Sequence, residues 1–193
     1  VRTDLLKAAS LIPGSHRVNL HAIYGDFGDE FVDRDEITIE HFESWIQWAK
    51  ENNLKLDFNS SSFSHPKSGE LSLAHPDKEI RDFWIRHTQR CRAISEEIGK
   101  RQNDPCIMNI WVHDGSKETP VNKLEYRKNL ADSLDQILAT KYDNMKDCLE
   151  SKLFCIGAES FTVGSHEFYM GYTLCRNKMI TLDMGHYHLT ESV

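Results

Sequence analysis

Two neighbouring stretches in the last third of the sequence carry side chains that can bind a divalent cation. Glu159 follows one short apolar run, and Asp183 and His186 follow the next, with His188 close behind. Carboxylate oxygens and imidazole nitrogens suit manganese, magnesium, cobalt or zinc. The same spacing also fits an aspartate that caps a turn beside a solvent-exposed histidine, so spacing alone leaves both interpretations open.

Other polar and aromatic side chains of chemical interest end earlier apolar runs. His21 lies near the end of the stretch RVNLHAIY, where a general acid or base would be placed, although a hydrogen-bonded core histidine is the commoner role. Trp111 precedes His113 and Asp114, and it fits either a surface that stacks on a sugar or the core. The serines after Asp57 show no paired histidine and acid, so a serine hydrolase is not indicated.

Short apolar runs alternate with longer helical patterns, which predicts a parallel sheet with helical crossovers. The predicted strands are residues 17–24, 54–58, 107–112, 151–158 and 178–183. The predicted helices are residues 38–52, 76–100 and 123–142, each with apolar side chains at helical spacing. The first residues, up to Pro13 and Gly14, predict the end of a further amphipathic helix.

Strand order in the sequence cannot separate a barrel from an open doubly wound sheet. Two observations favour a barrel. The sequence contains neither GxGxxG after the first strand nor GxxxxGK[ST], the phosphate-binding loops typical of open sheets. Polar residues end every predicted strand, as they do at the active face of a TIM barrel. The expected fold is therefore α/β, a partial TIM (β/α)8 barrel of about five βα units, and this shared rim favours the metal interpretation of Glu159, Asp183 and His186.

Composition narrows the class of protein. The 193 residues are 39% hydrophobic and 27% charged, which is typical of a soluble globular domain. A net charge of -7 argues against binding to nucleic acid or to an anionic membrane. Five cysteines without CxxC spacing predict reduced thiols in the cytoplasm rather than disulfides or a zinc knuckle. No apolar run approaches the length of a membrane helix, and the first residues do not look like a signal peptide.

Both ends of the sequence look interrupted. The chain begins with Val1 at the end of a helical pattern and stops just after the cluster of polar residues around His186. We therefore expect residues 1–193 to be a fragment of one TIM-barrel catalytic domain, truncated at both ends, since barrel closure needs eight strands.

The sequence resembles the L-rhamnose isomerase family. The stretches that carry the resemblance occur in family order over nearly the whole chain: NLHAIYGD, LDFNSSSFSHP, MNIWVHDGSK, ESKLFCIGAESFTVGSHEFYMGY and LDMGHYHLTE. The combination of GAESFTVGS with LDMGHYH is too specific for chance. The resemblance implies a metal-dependent aldose–ketose isomerase with a TIM barrel.

The resemblance also implies roles for individual residues. It places two divalent ions side by side, with manganese the first choice and zinc or cobalt as alternatives. Glu159 and Asp183 match ligands of the substrate-anchoring ion, and His186 matches a ligand of the catalytic ion. His21 matches a histidine associated with opening the sugar ring. Trp111 and Phe63 match positions near the substrate, and further metal ligands of the family lie beyond Val193.

The implied reaction interconverts L-rhamnose and L-rhamnulose by a metal-assisted hydride shift between C1 and C2. Metal ions stabilise the developing alkoxide charge as Lewis acids, and no nicotinamide or flavin is needed. The fragment alone is expected to be inactive, and the full-length protein is expected to be a homotetramer.

Other functions remain open at this stage. A different sugar isomerase of the xylose isomerase-like barrel superfamily would use the same residue types. A metal-dependent phosphodiesterase of the endonuclease IV type would need a basic groove for phosphates, against which the net charge of -7 weighs. From another class, the chain could be a non-catalytic barrel kept as a binding module, and only activity of a full-length chain separates that from an enzyme.

Overall fold

The computed structural model describes residues 1–152 and 160–187. Within them, five strands form a parallel sheet, in the spatial order β1 (Arg17–His21), β2 (Lys55–Asn59), β3 (Cys106–Trp111), β5 (Met145–Glu150) and β7 (Met179–Thr181). Two very short strands, β4 (Gly115–Ser116) and β6 (Phe161–Thr162), pair antiparallel. The α/β class and the parallel sheet predicted from the sequence are confirmed.

Helix α1 (Arg2–Leu11) precedes the sheet. Four further helices connect successive strands of the sheet: α2 (Glu43–Glu51), α3 (Lys78–Gln102), α4 (Lys123–Leu138) and α5 (His166–Arg176). Helix α3 has clear boundary signals: the Asp77 side chain accepts a hydrogen bond from the Glu79 backbone N–H at 2.9 Å, and Asn103 ends the helix at φ 49°. Asparagine tolerates this left-handed conformation better than most residues. No helix in the described ranges is long and apolar enough to cross a membrane.

The strand order determines where the helices lie. Neighbouring strands of the sheet follow one another in chain order without reversal. Because parallel crossovers are nearly always right-handed, this order brings the crossover helices to the same face of the sheet. Side chains on that face are almost fully buried: Leu20, Leu56, Phe58, Met108, Ile110 and Leu149. The opposite face, here called the inner face, carries alternate residues such as Asn19, Asp57 and Asn109, most of which are polar.

One strand of the sheet lies where the sequence pattern predicted none. The structure places β5 at Met145–Glu150, whereas the sequence pattern predicted residues 151–158. Ser151 and Lys152 follow the strand, and residues 153–158 lie outside the described part of the chain. The charged residues Lys146 and Asp147 hid β5, because a strand prediction relies on apolar or alternating residues. Helix α5 and the β4–β6 pair were not predicted either.

A buried ion pair explains why β5 tolerates an acidic residue. The Arg92 guanidinium on α3, only 1% exposed, donates from Nε to Asp147 Oδ1 at 2.6 Å, and Lys178 Nζ donates to Asp147 Oδ2, also at 2.6 Å. Arg92 also donates to the carbonyl oxygens of Ile137 and Thr140 near the end of α4. One guanidinium thereby connects α3, α4 and β5, and Lys178 joins the start of β7 to the group.

We expect Arg92→Met to lower the free energy of unfolding by about 3 kcal/mol, the lower end of the range for breaking a buried ion pair, because Lys178 still faces Asp147. Urea unfolding followed by circular dichroism measures the change. Arg90→Ala is the matched control, because Arg90 is exposed on the same helix and its loss should change stability by less than about 0.5 kcal/mol. Equal effects of the two substitutions would contradict the structural role of Arg92.

A fully buried histidine predicts a pH dependence of stability. Burial lowers the pKa of His87, whose ring nitrogens face the carbonyl oxygens of Arg34 and Ser60, below its ordinary value of 6.5. Below about pH 6.5, His87 gains a proton in the unfolded chain but not in the folded chain. The contribution of His87 to the free energy of unfolding is therefore complete above that pH and decreases with acidification.

Urea unfolding of the parent and of His87→Gln should show this effect. The stability advantage of the parent should shrink by up to about 2 kcal/mol between about pH 8 and about pH 5, since glutamine does not titrate. An advantage that stays constant over this range would show that His87 is protonated equally in both states.

Candidate metal centre

Three potential metal ligands meet at the carboxyl ends of β5 and β7. Glu150 is the last residue of β5, Asp183 lies two residues after β7, and His186 ends the short 3-10 turn Met184–His186. His186 Nδ1 lies 3.3 Å from Glu150 Oε1, and His186 Nε2 lies 3.4 Å from Asp183 Oδ2. One ligand atom from each residue lies within 4.8 Å of the others. The imidazole therefore stands between two carboxylates.

The loop after β7 orients two of these ligands by a local hydrogen bond. Asp183 Oδ1 accepts from the Gly185 backbone N–H at 2.9 Å, and the His186 backbone N–H donates to the Asp183 carbonyl, also at 2.9 Å. The carboxylate thus caps the turn with one oxygen and turns the other toward His186. The capping role and the ligand role, which the sequence left as alternatives, are compatible in this geometry.

Glu150 is the buried member of the group. Its exposure is 7%, and its Oε2 accepts a hydrogen bond from the Asn109 side-chain amide. Burial raises the pKa of Glu150 above its ordinary value and the nearby Asp183 charge adds to this, whereas Asn109 and His186 act in the opposite direction. The surroundings of Glu150 therefore disfavour its charged form, and a bound cation would favour that form.

The donor set fits a divalent cation. Two carboxylates and one neutral imidazole supply two negative charges and a nitrogen ligand, a combination suited to manganese, cobalt, zinc or magnesium. A cation between Glu150 and Asp183 would also offset the repulsion between the two carboxylates, one of which is buried. Three ligands leave coordination positions for substrate oxygens, water or other side chains.

The sequence prediction and the structure agree on part of this group. Asp183 and His186 were predicted as ligands, and the structure places them side by side. Glu159 lies outside the described residues, as does His188, so their roles stay predictions. Glu150 was missed. A strand predicted at residues 145–150 would have ended at Glu150 and would have indicated this carboxylate as a candidate ligand.

The aromatic residues predicted near the substrate contact each other next to the cluster. The rings of Phe63 and Trp111 meet edge to face with centroids 5.6 Å apart, and the Trp111 and His186 rings are 6.5 Å apart. Lys152, almost fully buried, places Nζ 5.8 Å from the Trp111 ring and donates to the His113 carbonyl. An aromatic wall and a buried ammonium group thus lie on the rim that carries the three ligands.

His21 lies at the same rim but at the other end of the sheet, as the last residue of β1. Its Nδ1 lies 2.8 Å from Ser61 Oγ, and its ring meets the Tyr24 ring edge on. Burial lowers the pKa of His21 below its ordinary value, which favours the neutral ring at neutral pH. Neutral imidazole is the form that can accept a proton.

A cavity of about 460 Å³ opens on the inner face of the sheet beneath the cluster. Glu150 and Asp183 border it at the rim, and Asn109 and Asp57 border it deeper along the strands. A larger cavity of about 660 Å³ lies among the starts of β5 and β7, the end opposite to the metal ligands. The smaller cavity is the one that a molecule bound at Glu150 and Asp183 would enter.

Comparison with known proteins gives one consistent result. A family model described as L-rhamnose isomerase (RhaA) matches residues 1–193. An L-rhamnose isomerase of Bacteroides thetaiotaomicron is 68% identical over 193 residues, covering 100% of this chain and 46% of the relative. Proteins of the same name from Rhodopirellula baltica and Listeria innocua are each 53% identical over 196 residues, again covering 46% of the relative. The chain thus spans about half the length of these relatives.

Substitution of the two candidate glutamates would identify the ligand. In a full-length protein that contains this chain, Glu150→Gln should weaken binding of Mn²⁺ by at least about 10-fold, because it removes a charged oxygen from the cluster. Isothermal titration measures the affinity. Glu125→Gln, an exposed glutamate on α4, is the control. Unchanged affinity in Glu150→Gln together with a loss in Glu159→Gln would assign the ligand to Glu159 instead.

Proposed function

Since the chain belongs to the L-rhamnose isomerase family, whose model covers all 193 residues, we propose that it forms part of an enzyme that interconverts L-rhamnose and L-rhamnulose. The complete enzyme in this proposal is as long as the L-rhamnose isomerase of Bacteroides thetaiotaomicron, and this chain spans 46% of that length. The observation that carries the proposal is the cluster of Glu150, Asp183 and His186 at adjacent strand ends. These three side chains could hold a divalent cation, which would supply Lewis-acid chemistry for a sugar isomerisation.

The proposed architecture is one part of a TIM barrel, with the rest of the barrel supplied by the remaining polypeptide. Two features support it. The strand order runs in one direction, whereas a doubly wound sheet reverses its order at a switch point. The inner face is mainly polar and carries the cavity, as expected for a face that turns toward a barrel axis rather than toward a second layer of helices.

Residues of this chain have distinct proposed roles. Glu150, Asp183 and His186 would hold a divalent ion, and such an ion would supply Lewis-acid chemistry for the isomerisation when bound. Phe63 and Trp111 cover an apolar face of the sugar and keep water away from the carbons between which a hydride moves.

His21 and Lys152 handle protons and charge in this proposal. His21 keeps Nδ1 against Ser61 and presents Nε2 to the sugar, so the neutral ring can accept or return a proton as the sugar ring opens. The buried ammonium of Lys152 adds positive charge near Trp111, where negative charge develops on oxygen during the reaction.

The number of metal ions, the oligomeric state and the cellular compartment are also part of the proposed function. We propose two ions, with manganese as the first choice and zinc or cobalt as alternatives. Two ions bring four positive charges, and Glu150 and Asp183 supply two negative ones, so further ligands come from other parts of the polypeptide. The sugar is the small-molecule partner, the complete enzyme is a homotetramer, and it works in the cytoplasm without nucleic-acid or membrane partners.

The direct test is sugar isomerisation by the full-length protein with Mn²⁺. The parent should convert L-rhamnose to L-rhamnulose, and Asp183→Asn and His186→Asn should each lower kcat/KM by at least about 100-fold, because loss of a ligand removes charge stabilisation in the transition state. Ketose formation is measured by colorimetric or chromatographic assay. Glu125→Gln should retain parental activity. Conversion of a different aldose in preference to L-rhamnose would instead identify another sugar isomerase.

The isolated 193-residue chain should bind Mn²⁺ weakly and show no measurable isomerase activity. Its three described ligands fill only a minority of the coordination positions of two ions, each of which takes about four to six ligands. Isothermal titration and the same sugar assay check both statements. Tight binding at two sites in the isolated chain would contradict this prediction.

A further inference from the structure

A chain of hydrogen bonds links the candidate ligand Glu150 to two side chains on neighbouring strands. Asn109 on β3 is 5% exposed and donates its side-chain N–H to Glu150 Oε2. The Asn109 side-chain carbonyl accepts from Thr181 Oγ1 on β7 at 2.8 Å. Thr181 Oγ1 also lies 2.8 Å from the Cys148 thiol on β5. The side-chain amide of Asn109 therefore connects the Thr181 hydroxyl to the Glu150 carboxylate on the inner face of the sheet.

The chemistry of these groups fixes the direction of every bond. An ionised carboxylate only accepts, so the Asn109 nitrogen must face Glu150 and the Asn109 oxygen must face Thr181. The hydroxyl of Thr181 has one proton, and it is given to Asn109. The remaining contact of Thr181 must therefore accept from the Cys148 thiol, which is a weak donor.

We propose that Asn109 and Thr181 are positioning residues that hold Glu150 as a single-oxygen metal ligand. Asn109 occupies Oε2, and Oε1 is left facing His186 at 3.3 Å. Thr181 acts through Asn109, because its bond prevents the amide from rotating and presenting oxygen to the carboxylate. The inference rests on the proposed function only in taking Glu150 as a metal ligand.

Sequence neighbours do not explain this arrangement, but the register of the sheet does. Glu150 is the register partner of Thr181 on one side and of Trp111 on the other, and Asn109 is the partner of Cys148. Asn109 thus lies two residues below the rim on the strand next to Glu150, within reach of both Glu150 and Thr181. Outer groups that orient a metal ligand typically change metal affinity by about 10-fold to 100-fold when they are removed.

Removal of the Thr181 hydroxyl tests the role of the second residue in the chain. The probe is Mn²⁺ alone, titrated into the metal-free full-length protein. Thr181→Val, which keeps the side-chain shape, should weaken Mn²⁺ binding by about 10-fold, and Thr181→Ser should restore it to within about 3-fold of the parent, because serine returns the hydroxyl. Thr88→Val is the matched control: Thr88 is a buried threonine whose hydroxyl bonds to the Trp84 carbonyl of its own helix, away from the cluster.

A double-mutant cycle tests whether Thr181 acts through Asn109. Asn109→Ala should weaken Mn²⁺ binding by about 10-fold to 100-fold, and adding Thr181→Val should weaken it no further, because the two residues form one chain. Parental affinity in Thr181→Val, or two independent and additive losses, would overturn the proposal. If Asn109→Ala fails to fold, the comparison of Thr181→Val with Thr181→Ser decides the question.

Glu150→Gln separates this inference from the proposed function. If Glu150→Gln binds Mn²⁺ like the parent, Glu150 is not a ligand, and both the three-residue metal centre that includes it and the positioning chain fail. If Glu150→Gln loses affinity while Thr181→Val and Asn109→Ala do not, only the positioning role fails and the metal centre stands. Melting curves of the metal-free variants exclude misfolding as the cause of any loss.

Discussion

The groups around Glu150 and Asp183 must offset the electrostatic repulsion between these two carboxylates. Two like charges face one imidazole, and one of the two is almost entirely buried. In a folded chain such a pair persists only where hydrogen bonds or a cation compensate for lost hydration. The amide of Asn109 and the Gly185 backbone N–H supply part of that compensation. A divalent ion bound at this cluster would supply the remainder.

The sheet makes this arrangement possible because its core residues and its candidate ligands lie on opposite faces. Alternate residues of each strand face the helices and form the apolar core, which leaves the other residues free to be polar. Leu149 and Glu150 are adjacent in sequence, yet the first is a core residue and the second is a candidate ligand. The same alternation places Met108 in the core and Asn109 on the inner face. Parallel pairing then brings the ends of successive strands to one rim.

The sequence was sufficient for the layers of the fold and for part of the site. Four of the five predicted strands of the sheet begin within one residue of their observed starts, because apolar residues recur along them at least at every second position. The strand β5 at residues 145–150 was not predicted, since charged residues such as Lys146 and Asp147 are typical of loops. The burial of Asp147 is explained by two partners distant in sequence, the guanidinium of Arg92, 55 positions earlier, and the ammonium group of Lys178. Without β5, Glu150 was not recognised as a candidate ligand, while the predicted ligand Glu159 lies outside the described residues.

Asp183 combines a backbone role with a chemical one. Its Oδ1 accepts a hydrogen bond from the Gly185 backbone N–H in the loop after β7, and its Oδ2 points toward His186. The conformational entropy of this carboxylate is therefore lost when the chain folds and not when an ion arrives. Replacement by glutamate, although it keeps the charge, would lengthen the side chain and uncouple the turn from the ligand. At this position, the distance between carboxylate and backbone matters as much as the charge.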